Sequence, residues 1–575
     1  MLTIDPTTLA DPVLRDLITS LMNQIEVLEE RVQQQANEIQ RLRDENNRLR
    51  GEQGQPTVRP GVKPTDLASE SERADHALRP HRRRARSIVI TNEQRLTIDP
   101  VQLPLDAVFK GYQPVEVQEI VLQPQGIRFL REKWYSPSTH RTYVAPLPSG
   151  FTGQFGPRLR ALALTLYFES GLSMAKLHGF LRLAGIAIST GQVSRLLTHN
   201  HDRFHAERQA ILQAGLASSP WQQIDTTATR VNGANHHCHV LGNPLYTVYT
   251  TTERRDRLAA LDVLRGGAPR VFRLNTTAES LLQLMGFPTK PLKRLRHGPR
   301  DQDLTLTELD SLIATHLDPL TPVQRKWLLD ALAIAAYHAQ EHPVLPIVRT
   351  LVCDDAPTFR ILTESIAQCW VHDGRAYKRL EPRFAHHIAL REAFCARYWA
   401  FYRELAAYRR APIPDEAIRL RTIFEGLVAT ITGYQALDER IRITAEKKAE
   451  LLLVLDHPEV PLHNNAAELG IRRRVRKRDV SYGPRRAVGV AAWDTFQSLA
   501  ATAQQLGVNV TAYLYDTLCG GTTLPRLATI IAERAQMTPL GASWSEPAVL
   551  PAWRPKRLTR WNRWGQRTRT LDDLT

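Results

Sequence analysis

Cysteine is scarce in this chain of 575 residues: there are five (Cys238, Cys353, Cys369, Cys395, Cys519), an odd number with no CxxC spacing. That excludes a disulfide framework and a cysteine-based zinc knuckle. Long apolar runs are also missing, and the start, MLTIDPTTLADPVLRD, carries acids where a secretory leader would carry bases. The expectation is a cytoplasmic protein without membrane association. Acid is the minority charge: 59 Asp and Glu face 75 Lys and Arg, a formal net charge of +16. A polyanion such as nucleic acid is the partner this balance points to. The arginines come in blocks, Arg79 to Arg86, Arg472 to Arg478 and Arg554 to Arg569, as expected of surfaces that follow phosphates.

What is present divides the chain into segments. Apolar residues alternate by four and three from Leu14 through Ile18, Leu21, Ile25, Leu28, Val32, Ile39 and Leu42 to Leu49, with Gln35 and Asn46 in the same register. This heptad seam predicts a coiled coil over residues 1–50 that joins copies of the chain, a polar seam residue such as Asn46 fixing register. Residues 51–95, rich in Gly, Pro and charge, are expected to form a basic flexible linker. Residues 96–150 hold β-prone runs (VEVQEIVL, GIRFLREKWY, TYVAPL) and predict a small β-rich region. Within 151–215, the stretch GLSMAKLHGFLRLAGIAISTGQVSRLLTHN reads as a helix-turn-helix, turning at Gly185 and capped by Ser189. Gln192 and Arg195 would then face outward to DNA, although an ordinary helical hairpin fits the same pattern.

Residues 216–520 carry the chemistry. WQQIDTTATRV, HHCHVLGN and LYTVYTT predict three antiparallel strands, followed by the helix RRDRLAALDVLRG. A helical insertion over 266–342 precedes VLPIVRTLVCDDAPTF, a buried β-run ending in Asp354 and Asp355. A helix (PTFRILTES), a further strand (IAQCWVHD), a second helical insertion over 376–457 and a final helix containing Glu468 complete the order. This is the order of an RNase H-like core, a mixed five-stranded sheet with helices, within a multidomain α/β protein. An acid within the first strand and another at the end of its parallel neighbour would stand roughly 5 Å apart across the ladder. Glu468 would close the site from its helix. Carboxylates without soft ligands suit Mg²⁺ or Mn²⁺, and two such ions can serve an in-line displacement at phosphate. Each acid also has a plain structural reading: Asp225 as a turn former, Asp354 or Asp355 as a helix cap, and Glu468 as half of a capping box with Asn465. The histidines 236, 237 and 239 would be split across two strand faces, and Cys369 with His372 is too small a set for zinc.

The segments QIDTTATRV, LVCDDAPTF, QCWVHDGRAYKRL and PLHNNAAELGIRRRVRKRDVSYG, with AWDTFQSLAATAQQLGVNVTAYLYDTL after them, resemble the catalytic segments of bacterial insertion-sequence transposases of the DDE class. The resemblance is closest to the insertion sequence 66 type and spans nearly everything but residues 521–575, a basic tail in which Trp553, Trp561 and Trp564 alternate with Arg and Lys. It implies that Asp225, Asp354 and Glu468 are the catalytic and metal-binding acids, Asp354 standing five residues before Phe359. It implies double-stranded DNA as substrate, a homo-oligomer, accessory transposition proteins, and cleavage of element ends followed by transfer of the 3′ ends. A DNA-binding protein with a decayed site and a structure-specific nuclease remain the alternatives. Two departures stand out: the family's cysteine zinc motif is missing, and Thr226 follows Asp225 where the family tends to carry an acid. Arg472, Arg473, Arg476 and Lys477, continuing from Glu468, are expected to grip phosphate, as are Gln192 and Arg195.

Overall fold

The computed structural model describes residues 5–49 and 90–537, apart from 91, 100, 101, 105, 106, 118, 121, 318, 341–344 and 522. The arginine block at 79–86, nearly all of the expected linker and the Trp-rich part of the tail lie outside the described residues.

Helix α1 (Pro12–Leu49) is continuous, as its heptads require. Most of its seam faces solvent: Leu14, Leu21, Ile25, Leu28, Val32, Ile39 and Leu42 are all exposed. A neighbouring face is used within the chain, where Met22 is buried and Glu26 approaches His387 at 3.2 Å.

Of the three β-prone runs in residues 96–150, GIRFLREKWY and TYVAPL enter strands. The only strands there among the described residues are the exposed hairpin β1 (Lys133–Ser136) and β2 (Arg141–Val144). The described residues of the run VEVQEIVL have strand propensity but form no strand, and Val115, Val117 and Ile120 are exposed. Propensity alone does not make a strand.

Three helices follow: α2 (Pro157–Leu164), α3 (Met174–Leu183) and α4 (Thr190–Thr198). The chain turns between the last two at Gly185, whose φ of +82° favours glycine. Leu177, Leu181, Val193 and Leu197 are buried between them. Helix α5 (Asp202–Ala217) leads to the sheet.

The sheet comprises β3 (Trp221–Val231), β4 (Ala234–Asn243), β5 (Tyr246–Thr252), β8 (Thr350–Cys353) and β9 (Ser365–Gln368), in the order β5-β4-β3-β8-β9. The first three are antiparallel, while β8 lies parallel to β3, with Gln223 opposite Val352, and β9 lies parallel to β8. This five-stranded mixed sheet is consistent with an RNase H-like core. Between β5 and β8 come α6 (Arg257–Leu264) and a helical insertion that also holds a two-residue pair, β6 (Phe272–Arg273) with β7 (Asp303–Leu304). That insertion ends in α10 (Pro322–His338), after α7 (Thr276–Leu284), α8 (Thr289–Leu295) and α9 (Leu306–His316).

The expected helix at PTFRILTES is absent, and turns occupy residues 357–364. Arg257 donates to the carbonyls of Pro357 (3.2 Å) and Arg360 (3.1 Å), groups a helix would satisfy internally, and Ile361 sits at φ +63°. The run IAQCWVHD is likewise strand only through Gln368. Its second half opens α11 (Trp370–Lys378), which begins the second helical insertion with α12 (Ala385–Arg410), α13 (Pro414–Val428) and α14 (Gln435–Glu446). This insertion has its own aromatic core, in which Trp370, Tyr377, Tyr398, Phe401 and Phe424 are all buried.

The chain then returns through α15 (Asn465–Ser481), which packs on β3 and β4, and α16 (Ala487–Gln505), which runs along the open edge of β5 and accepts from the Thr247, Tyr249 and Thr251 amides. Gly470 permits the close approach: a Cβ there would lie 2.5 Å from Val240 Cγ1. Helices α17 (Val510–Leu518) and α18 (Leu527–Met537) complete the described chain.

Candidate active site

Asp225 lies within β3, and Asp354 directly follows β8. Continuing the parallel register by two residues from the Gln223–Val352 pair sets these acids side by side. Their proximity is visible in their charge: burial, then the neighbouring Asp354 carboxylate, and more weakly Glu468, push the Asp225 carboxyl up to about 7. The Thr226 amide donates to Asp225 Oδ1 at 2.7 Å, and the Ala356 amide to Asp354 Oδ1 at 3.2 Å.

Asp354 and Asp355 are adjacent in sequence but differ in surroundings. Asp355 is ion-paired with Lys447 and Arg360 and accepts from Gln368. Although burial works against it, these partners hold the Asp355 carboxyl down at about 2. It ties the end of β8 to the second insertion, leaving Asp354 as the acid beside Asp225.

Glu468 sits in the first turn of α15, and its position is built by residues the sequence reading passed over. The Asn464 side-chain amide donates to the Ile224 carbonyl at 2.8 Å. Gln223 Nε2 donates to the His463 carbonyl, and Gln223 Oε1 accepts from the Ala466 amide, both at 2.9 Å. The start of α15 is thereby fastened to β3 at the two residues that precede Asp225. The expected capping box between Asn465 and Glu468 is not formed: Asn464 is the N-cap, without a side-chain cap bond. The Glu468 carboxylate turns instead to α11, where Arg375 contacts it at 2.6 and 3.4 Å and His372 Nε2 lies 3.1 Å away. Cys369 Sγ accepts from the Asn464 amide at 3.3 Å, so the CxxH element supports the site mechanically. The only hint of Arg375 in the sequence was its place in the segment WVHDGRAYK.

Among the described residues, no group of three or more His, Cys, Asp and Glu is gathered closely enough to hold a metal ion in this arrangement. The histidines of β4 do not contribute: His239 is buried between the hydroxyls of Thr226 and Thr252, each at 2.9 Å, and burial holds its ring down at about 4.

The residues expected to grip DNA divide into two groups. Gln192 is committed to the capping box of α4, accepting from the Ser189 amide at 2.8 Å, and its amide donates to Gln154 at 3.0 Å. Arg195 is exposed. In α15, Arg472 and Arg476 are exposed, but Arg473 pairs with Glu169 at 2.7 Å and Arg474 is buried against Asp494 and Thr251. Lys477 is buried too, donating to the Leu172 carbonyl at 2.7 Å with its ammonium 3.4 Å from the centre of the Tyr167 ring. The basic run on α15 thus serves mostly to fasten that helix to the protein, because its inward face meets acids, carbonyls and aromatic rings.

Among the described residues no helix is long and apolar enough to cross a membrane. The family profile described as "Transposase IS66 family" matches residues 338–491, which include Asp354, Arg375 and Glu468 but not Asp225. A protein of Sinorhizobium fredii (strain NBRC 101917 / NGR234) named "Uncharacterized protein y4jO" is 31% identical over 327 residues, 56% of this chain and 100% of that protein. No solved structure matches. With residues 338–491 matched by the profile and the whole of that relative covered at 31% identity, the chain belongs to the IS66 family of transposases.

Proposed function

We propose that this protein cleaves the DNA ends of a mobile element and joins the freed 3′ ends to target DNA, using Asp225, Asp354 and Glu468. The observation that carries this reading is the strand register that sets half-buried Asp225 beside Asp354, with the Glu468 charge also felt at Asp225. Carboxylates forced together against their own repulsion are arranged for a cation.

The donor set fits Mg²⁺ or Mn²⁺: it is all oxygen and half-buried, and the neighbouring Asn464 Oδ1 is a buried acceptor without a partner. Asp225, Asp354 and Glu468 would hold the metal, one ion or two, which supplies charge stabilisation for the attacking and leaving oxygens. The chain's own contribution is placement. The ladder fixes Asp225 against Asp354, and Gln223 and Asn464 fix the helix of Glu468 to the same strand. One site can serve both hydrolysis and joining, because only the attacking oxygen differs.

DNA contacts fall to exposed bases, Arg195 on α4 and Arg472 and Arg476 on α15, and the exposed seam of α1 is the surface that would join copies of the chain. The test is metal-dependent cleavage and strand transfer with labelled element-end DNA. Cleavage with joining is expected. Cleavage alone makes the protein a nuclease, and DNA binding with neither step makes the site decayed.

A further inference from the structure

Two rigid platforms flank Glu468. On one side, Asn464 and Gln223 bind the start of α15 to β3, and Gly470 packs that helix directly on Val240. On the other, α11 is locked into the second insertion. Trp370 is buried there, its indole donating to the Leu451 carbonyl at 2.8 Å and its amide to the Leu462 carbonyl at 3.0 Å. Asp373 is buried and ion-paired with Arg440, and it accepts from Thr444 at 2.9 Å and Tyr398 at 3.2 Å. His372 and Arg375, three residues apart, share the face of α11 that meets Glu468. With both backbones held, what remains adjustable is the Glu468 side chain. Its carboxylate either faces Arg375 or joins Asp225 and Asp354.

We propose that Arg375 is a positioning residue that competes with a divalent cation for Glu468, acting as a latch that keeps the third carboxylate out of the acid cluster until an ion displaces it. This rests on the reading of Asp225, Asp354 and Glu468 as a cation site and adds how that site is kept from closing. A two-pronged guanidinium–carboxylate contact, with one prong at 2.6 Å, is among the stronger polar contacts a protein makes. An ion recruiting Glu468 must break it, so the latch lowers cation affinity. Gln at this position cannot balance the carboxylate's charge, and Lys keeps the charge but loses the fork.

The experiment measures Mn²⁺ binding to the full-length protein without DNA, near neutral pH and low salt, from the electron paramagnetic resonance signal of the free ion. Arg375→Gln should tighten binding about tenfold, and Arg375→Lys should fall between it and the parent. Arg379→Gln removes an exposed charge at the C-cap that follows the same helix and should change affinity by less than about twofold, as expected for a screened surface charge. Unchanged or weaker Mn²⁺ binding by both Arg375 variants overturns the latch, as does equal tightening by Arg379→Gln, which would reduce the effect to net charge. Asp225→Asn separates the two levels of the argument. If it leaves Mn²⁺ binding unaltered, the cation site itself fails and the latch with it. If it weakens binding while Arg375→Gln does not tighten it, only the latch fails.

Discussion

Asn464 donates through its side-chain amide to the carbonyl of Ile224, joining the residue before the Glu468 helix to the residue before Asp225. Asn464 is fully buried, so this bond has no water to replace it. Asn464→Ala should lower stability by about 1–3 kcal/mol, the usual consequence of stranding a buried polar group. It should lower the cleavage rate more than this loss explains, because α15 loses its register with β3. Chemical denaturation beside cleavage of labelled end DNA checks both; a stability loss with a normal cleavage rate at a temperature where the variant is folded would separate the clamp from the chemistry.

Asp354 and Asp355 are predicted to fail differently. Asp354→Asn should abolish strand cleavage while end binding and thermal stability stay near the parent's. Asp355→Asn weakens the tie to Lys447 and Arg360, and because that pair is partly exposed it should cost only about 1 kcal/mol. Cleavage should persist at a reduced rate. Single-turnover cleavage and thermal melts of the two proteins decide the assignment, and a reversal of the two phenotypes would move the site by one residue.

Lys477 and Arg476 are neighbours with opposite expected roles. Arg476 is exposed, so Arg476→Gln should weaken DNA binding and reduce its salt dependence by about one counterion. Lys477→Met should leave the salt dependence unchanged. Burial depresses the Lys477 ammonium from 10.5 to about 7. Between those values the unfolded chain binds a proton that the folded chain does not, so stability should rise with pH from about 7 to about 10. Lys477→Met should remove that rise. Denaturation across this pH window, with filter binding at several salt concentrations, checks the pair.

The sheet was legible in the sequence because strand alternation is local: WQQIDTTATRV, HHCHVLGN and LYTVYTT carry their own period, and β3, β4 and β5 form where it runs. The expectation that Asp225 neighbours an acid at the end of β8 followed from the strand order, and the choice of Asp354 over Asp355 from the family resemblance. The latch was not legible, since Arg375 and Glu468 meet across a gap of 93 residues and nothing near either announces the other. Which residues of the basic run turn inward was not legible for the same reason. Charge is read residue by residue, but the face that Lys477 occupies is set by Tyr167 and Leu172, which arrive from another part of the chain. In VEVQEIVL propensity is present, yet its described residues form no strand.

Helix α1 offers two faces whose losses should be separable. Leu21→Asp with Leu28→Asp charges the exposed seam and should lower the oligomer mass measured by sedimentation while leaving the thermal midpoint of the protein nearly unchanged. Met22→Ala acts on the buried face that packs within the chain, and should destabilise the protein by about 2 kcal/mol or more without altering its mass. If the seam variant keeps the parent's mass, copies of the chain are not held together by α1.

Glu468→Gln tests the third acid under conditions the structure makes sharper. No capping box depends on Glu468, so the helix start does not require its side chain. What the substitution removes is a negative charge facing Arg375 and His372 on one side and Asp225 on the other. If that charge only serves the ion pair with α11, Glu468→Gln should melt lower and still cut DNA. If it holds a cation with Asp225 and Asp354, cleavage and Mn²⁺ affinity should both collapse while end binding survives. The second outcome is expected, and Arg375→Gln supplies the control, because it breaks the same ion pair while leaving the carboxylate free for the metal. Cleavage by Glu468→Gln at the parent's rate in Mg²⁺ would remove Glu468 from the site and assign its carboxylate to holding α11 against α15.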